Sequence, residues 1–117
     1  DIEFMQKAID DKAVWVLAYA SERLLADKEL ILKAAAVDGQ VLYYASKELR
    51  DDKDVVLAAV KNKWLIVKYA SKRLRGDKDV AMAVITQSTK SSIYLTDEIL
   101  KDPDIDAILN PPEETQQ

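Results

Sequence analysis

The side chains that could do chemistry in this chain are mostly carboxylates. Asp10 and Asp11 are adjacent, as are Asp51 and Asp52, and Asp102, Asp104 and Asp106 alternate. Paired carboxylates can divide general acid and base roles when their environments differ, and alternating ones can hold calcium. Here each group stands just ahead of an apolar run with helical spacing, where aspartate caps the free N–H groups of a helix start. The Asp102–Asp106 stretch also lacks the glycine and terminal glutamate of a calcium loop, and Pro103 interrupts it. The sequence has no histidine and no cysteine, which removes the Ser-His and Cys-His nucleophile arrangements and the usual zinc ligands. With only two glycines, Gly39 and Gly76, it cannot build a glycine-rich phosphate cradle. The expectation is a non-catalytic chain without cofactor or metal.

Binding chemistry is better represented. Helical spacing places Gln40, Tyr43, Lys47 and Arg50 on one outward face, and Leu65, Lys68, Lys72 and Arg75 on the equivalent face further along. Trp15 takes the corresponding place earlier, and Trp64 stands at a turn, as an exposed anchor or a plug over the turn. A basic stripe carrying aromatic and leucine side chains suits a partner surface. The competing reading is a solvated helix face whose lysines maintain solubility.

What must position these residues is a repeat. Tyr19, Tyr44, Tyr69 and Tyr94 recur every 25 residues, followed in step by Ser21, Ser46, Ser71 and Thr96, then by Asp27, Asp52, Asp77 and Asp102. Units fall at about 1–26, 27–51, 52–76 and 77–101, with a partial unit at 102–110 and an aperiodic tail at 111–117 that reads as disordered. Within a unit, Val55, Val56, Ala59 and Val60 define one apolar helix face, that of helix A, with Asp52 at its N-cap. Val41, Leu42, Ala45 and Leu49 define helix B, which either continues through Ser46 or breaks there so that serine caps a separate short turn. Gly39 reads as the stop of helix A, a role Trp64 and Thr89 take later without glycine's freedom. The tyrosines read as a packing ladder, and Lys28, Lys53 and Lys78 as cross-repeat partners of aspartates. Helices this short are marginal alone in water, so units must stack. The fold expected is all-α, a short α-solenoid of helical hairpins of about 25 residues.

The stretches "DKDVVLAAV" at Asp52–Val60 and "YASKRLR" at Tyr69–Arg75 resemble the repeat of the DUF4116 family, and the likeness runs from about Asp1 to Ile105. That resemblance implies a helical repeat, often within a larger protein. It implies no activity and no catalytic residues.

A net charge of −4 argues against a general nucleic-acid binder, no run of apolar residues is long enough to span a membrane, and the lack of cysteine leans toward a reducing, cytoplasmic compartment. The function expected is protein–protein interaction with an acidic segment through the helix B stripe. The alternatives are a phosphate or anionic-ligand module, for nucleic acid or a lipid headgroup, and a spacer or regulatory arm of an enzyme elsewhere in a parent chain. Because Ala45 and Ala70 sit at the centre of the inward face, Ala70→Asp should unfold the domain by burying an unpartnered carboxylate. A urea melt within about 0.5 kcal/mol of the unsubstituted protein, a change typical of surface sites, would contradict the assigned face.

Overall fold

A computed structural model describes residues 22–111; Trp15, the early part of the first unit and residues 112–117 lie outside this range. The described chain is helical, with no strand among these residues. Four-residue α1 (Glu22–Leu25) leads into α2 (Lys28–Val37). A 3₁₀ helix at Gly39–Tyr43 and short α3 (Lys47–Arg50) complete the unit. The pattern repeats as α4 (Lys53–Asn62), a 3₁₀ helix at Trp64–Tyr69 and α5 (Lys72–Arg75). It repeats again as α6 (Lys78–Ile85), a 3₁₀ helix at Thr89–Tyr94 and α7 (Asp97–Leu100), and closes with α8 (Pro103–Leu109).

The apolar faces are those the spacing requires. Leu30, Ile31, Ala34 and Ala35 of α2, and Val55, Val56, Ala59 and Val60 of α4, are buried. Long helix packs on long helix, α2 on α4, α4 on α6 and α6 on α8, while each 3₁₀ helix lies against the next. Leu32, Leu57 and Met82, on the far side of the long helices, are half-buried against the same core, so these helices are apolar nearly all round. Ile105 is the one fully buried residue of α8, and Asp106 and Asn110 leave its far side to solvent.

Helix B is not one helix. Val41, Leu42, Ala45 and Leu49 are all buried as expected, and so are Ile66, Val67, Ala70 and Leu74. The backbone nevertheless breaks between the pairs: Ser46, Ser71 and Thr96 adopt extended ψ values of 161°, 158° and 154°. Their hydroxyls accept from the backbone N–H groups of Leu49, Leu74 and Ile99, restarting the chain as an α-turn. The expected helical hairpin is therefore a long helix followed by a 3₁₀ helix and a separately capped turn.

The break is fixed from the neighbouring unit. The Ser46 N–H donates to the Leu25 carbonyl at 3.0 Å, Ser71 to Arg50 at 2.9 Å and Thr96 to Arg75 at 3.3 Å. A continuous helix B would turn these N–H groups inward on itself. Side-chain bonds also cross between units: Asn62 donates to the Val37 carbonyl at 3.4 Å, and Gln87 to the Val60 carbonyl at 2.8 Å.

Gly39 is also used differently from the expected helix stop. It has no positive φ, and Trp64 and Thr89 begin the later 3₁₀ helices without glycine. Its small size is what counts, because a Cβ there would lie 2.3 Å from the Ala59 carbonyl oxygen, inside van der Waals contact. At Gly76 the nearest atom to an added Cβ is the Thr96 hydroxyl at 2.9 Å, which belongs to a rotatable side chain. Gly39→Ala should therefore cost about 1–3 kcal/mol through forced separation of the repeats, and Gly76→Ala clearly less. Equal losses in paired urea melts would remove the close approach as the reason for Gly39.

Candidate functional site

The separately capped break divides the expected stripe into two surfaces. The first is a ridge along the 3₁₀ helices. Tyr43 is 52% exposed and Leu65 40% exposed, and Ile93, at the same register as Tyr43 and Lys68, is 77% exposed. Tyr43 meets Tyr44 edge-on at 5.2 Å between ring centroids and Tyr69 at 4.9 Å, while the Lys68 ammonium sits 5.2 Å from the Tyr69 ring centre. These contacts hold Tyr43 upright at the surface and favour the lysine's charge over the ring. Residues 39–45, 64–70 and 89–95 contain no aspartate or glutamate, so the ridge is basic and apolar on a chain that is acidic overall.

The second surface is a recess beside the short helices, open to solvent and about 350 Å³ in volume, lined by Lys47, Arg50, Lys72 and Arg75 with Tyr69 and Ser71. Lys47 and Lys72 are exposed, whereas Arg50 and Arg75 are half-buried rather than fully outward as the spacing suggested. Arg75 folds back, donating from Nε to the Ala70 carbonyl at 3.3 Å and from Nη1 to the Tyr94 carbonyl at 3.4 Å. Its guanidinium thus also bridges two units. Trp64 is half-buried against the core, which makes it a plug over the hairpin end rather than an exposed anchor. Ile93 and Lys90 were missed as ridge residues, although their positions in step with Lys68 and Leu65 would have pointed to them.

Many of the other charges are tied into the stack. Lys28 pairs with Asp52 at 3.0 Å and Asp54 at 3.2 Å; Lys53 with Asp77 at 3.3 Å and Asp79 at 2.6 Å; Lys78 with Asp102 at 3.5 Å and Asp104 at 2.6 Å. Asp51 accepts from the Ser71 hydroxyl at 2.5 Å and from Arg73 at 2.9 Å. Tyr44, Tyr69 and Tyr94 pack half-buried on the core, as a structural ladder would. Asp51 and Asp52, and Asp102 with Asp104, therefore serve as caps and cross-repeat partners, Asp10 and Asp11 lie outside the described residues, and among the described residues no group of side chains is arranged to hold a metal ion.

The family model described as Domain of unknown function (DUF4116) matches residues 1–50, 27–75 and 52–101, and the chain belongs to that family. Each match spans two of the 25-residue units and overlaps its neighbour by one. No curated protein and no solved structure matches the chain. Among the described residues no helix is long and apolar enough to cross a membrane.

The ladder has a pH signature. Hydrogen bonds donated to Asp52 and Asp54 raise the Lys28 pKa, and those donated to Asp79 and Asp77 raise that of Lys53. The Ser71 hydroxyl, then Arg73, holds Asp51 below the ordinary carboxylate range, and Lys53 does the same for Asp79. At Asp52, partial burial opposes ionisation, but Lys28 and the backbone N–H of Val55 outweigh it. Depressed carboxylates contribute stability that is complete above their unfolded pKa and lost as pH falls through the folded value; raised lysines contribute stability lost as pH climbs through theirs. Melting temperature should thus be level from about pH 5 to 9 and fall below about pH 4 and above about pH 10.5. The acid-side loss should shrink in 1 M salt, which screens exposed pairs. A melting temperature unchanged between pH 5 and pH 2 at low salt would contradict this role for the ladder.

Proposed function

We propose that these repeats are a non-catalytic interaction module that receives an acidic protein segment bearing apolar side chains, laid across the 3₁₀ ridge. The observation that carries this reading is the row of exposed apolar side chains Tyr43, Leu65 and Ile93, with Lys68 among them and no carboxylate in the three segments that form it. Such side chains at a surface are stable only at a hydration cost, which a partner's apolar groups remove. The surrounding cations favour a partner of opposite charge and reject a basic one. A repeat stack lines up its successive 3₁₀ segments, which suits an extended partner segment.

The test is fluorescence anisotropy with a labelled 15-residue peptide rich in aspartate and glutamate and carrying leucine and phenylalanine. Controls are a lysine-rich counterpart and an equally acidic peptide without apolar residues. Binding should be confined to the first peptide. Tyr43→Ser combined with Leu65→Ser should weaken it at least tenfold, in keeping with about 1–2 kcal/mol for an anchor residue, with the chain still folded and the thermal melt only slightly lowered by the lost ring contacts of Tyr43. Undiminished affinity in that double variant, or equal binding of the acidic peptide without apolar groups, would eliminate the ridge as the docking surface.

A further inference from the structure

The recess between α3 and α5 departs from the repeat that surrounds it. At the position of Lys47 and Lys72 the outer units carry Glu22 and Asp97, and at the position of Arg50 and Arg75 they carry Leu25 and Leu100. Stacking therefore accommodates leucine where the middle units have arginine, and carboxylate where they have lysine. Packing does not ask for four cations here.

Charge separates this recess from its neighbours. The recess one unit earlier sets Glu22 and Glu48 beside Lys47 and Arg50, and the adjoining one sets Glu48 and Asp51 beside Lys47 and Arg73. Lys72 and Arg73 face Glu98 in the next. The recess of Lys47, Arg50, Lys72 and Arg75 has no carboxylate in its wall. Lys28, Lys53, Lys78, Lys63 and Arg73 are each paired with aspartate, whereas these four make no ion pair among the described residues. Arg75 meets only neutral carbonyls.

The wall is also short of acceptors. The Ala70 carbonyl already accepts from Arg75, and the Ser71 hydroxyl already accepts from the Leu74 N–H. Arg50 Nε is buried and has no hydrogen-bond partner among the described residues. A buried donor without an acceptor is costly, so the Arg50 guanidinium would gain by turning toward an anion in the recess.

We propose that this recess is a phosphoryl site: Lys47, Arg50, Lys72 and Arg75 receive the phosphate of a phosphorylated serine or threonine carried by the segment that binds the ridge. This rests on the ridge reading, to which the recess is joined through Tyr69, a wall residue that also contacts Tyr43. A carboxylate would leave most of the positive charge uncompensated. A phosphoryl group brings a charge of about −1.5 to −2 and three acceptor oxygens, which suits two guanidinium forks and two ammonium groups. Phosphorylation of the partner would then act as the switch for docking.

The experiment compares three versions of the acidic, apolar peptide that differ at one position, which holds phosphoserine, serine or glutamate, titrated calorimetrically against the full chain. The phosphoserine form should bind at least tenfold tighter than either other form, and its addition should shift the Arg50 Nε–H resonance. Arg50→Leu, the residue of the outer units, should abolish the tenfold gain while leaving the serine peptide's affinity unchanged. Lys47→Gln and Lys72→Gln, at exposed sites, provide the same readout should Arg50→Leu unfold. Equal affinity of the three peptides, or a gain that survives all these substitutions, would overturn the phosphoryl site and leave the ridge standing. A phosphate gain that persists when Tyr43→Ser and Leu65→Ser have no effect would instead overturn the ridge. Vesicles containing a phosphorylated inositol lipid are a further arm; binding to them with no discrimination among the peptides would assign the recess to a headgroup and overturn the proposal.

Discussion

No unit of this protein can bury its own apolar surface. The long helices α2 and α4 have ten residues each and α6 has eight, and α4 is apolar toward both α2 and α6. Helices of this length do not persist alone in water, so each depends on its neighbours. Everything else in the structure follows from repeating that dependence. The cross-repeat hydrogen bonds of Ser46, Ser71 and Thr96, the lysine bridges and the contact of Gly39 with Ala59 all set one unit against the next at a fixed distance. Individually the exposed ion pairs stabilise little. Their value lies in register, since each lysine reaches the cap and the first turn of the following long helix, where a shifted stack would leave both charges unmatched.

This division of labour frees a surface. The core is carried by the long helices and by the inward residues of the short segments, and the ion-pair ladder lies at the starts of the long helices. The outward residues of the 3₁₀ helices lie outside both, and there the repeat relaxes: Gln40, Leu65 and Lys90 share one position, and Tyr43, Lys68 and Ile93 another. Variation at a position whose neighbours are strictly periodic is the expected mark of a surface that faces something other than the next repeat. The cost of two of these side chains is visible in the aromatic contacts around Tyr43 and the placement of Lys68 over Tyr69, which shelter part of an otherwise wet apolar ridge.

Arg50 and Arg75 occupy a middle ground between structure and surface. Arg75 links two units through carbonyls, while Arg50, at the same register, keeps a buried Nε without a partner among the described residues. The same side chain in the same repeat position thus has two environments, because the units following them differ: Tyr94 and its neighbours for one, Tyr69 and the second arginine for the other. A periodic sequence does not guarantee periodic chemistry.

The sequence by itself determined the period, the inward residues and the capping aspartates, since these depend on spacing along one chain and on local hydrogen bonding. Every apolar position assigned inward from Val41 to Leu74 is buried, and Asp27, Asp52, Asp77 and Asp102 all cap long helices. The sequence offered Ser46 as a place where helix B either continues or breaks; the tertiary structure decided that it breaks, because the Ser46 and Ser71 N–H groups are claimed by carbonyls about twenty residues back. It also decided the function of Gly39, which answers to the backbone of Ala59 rather than to its own turn. From the break followed the division of one expected stripe into a ridge and a recess, and the withdrawal of Arg50, Arg75 and Trp64 from the open surface. Periodicity reports which side of a segment is buried; whether that segment is one helix or two is settled by which hydrogen-bond donors the neighbouring unit claims.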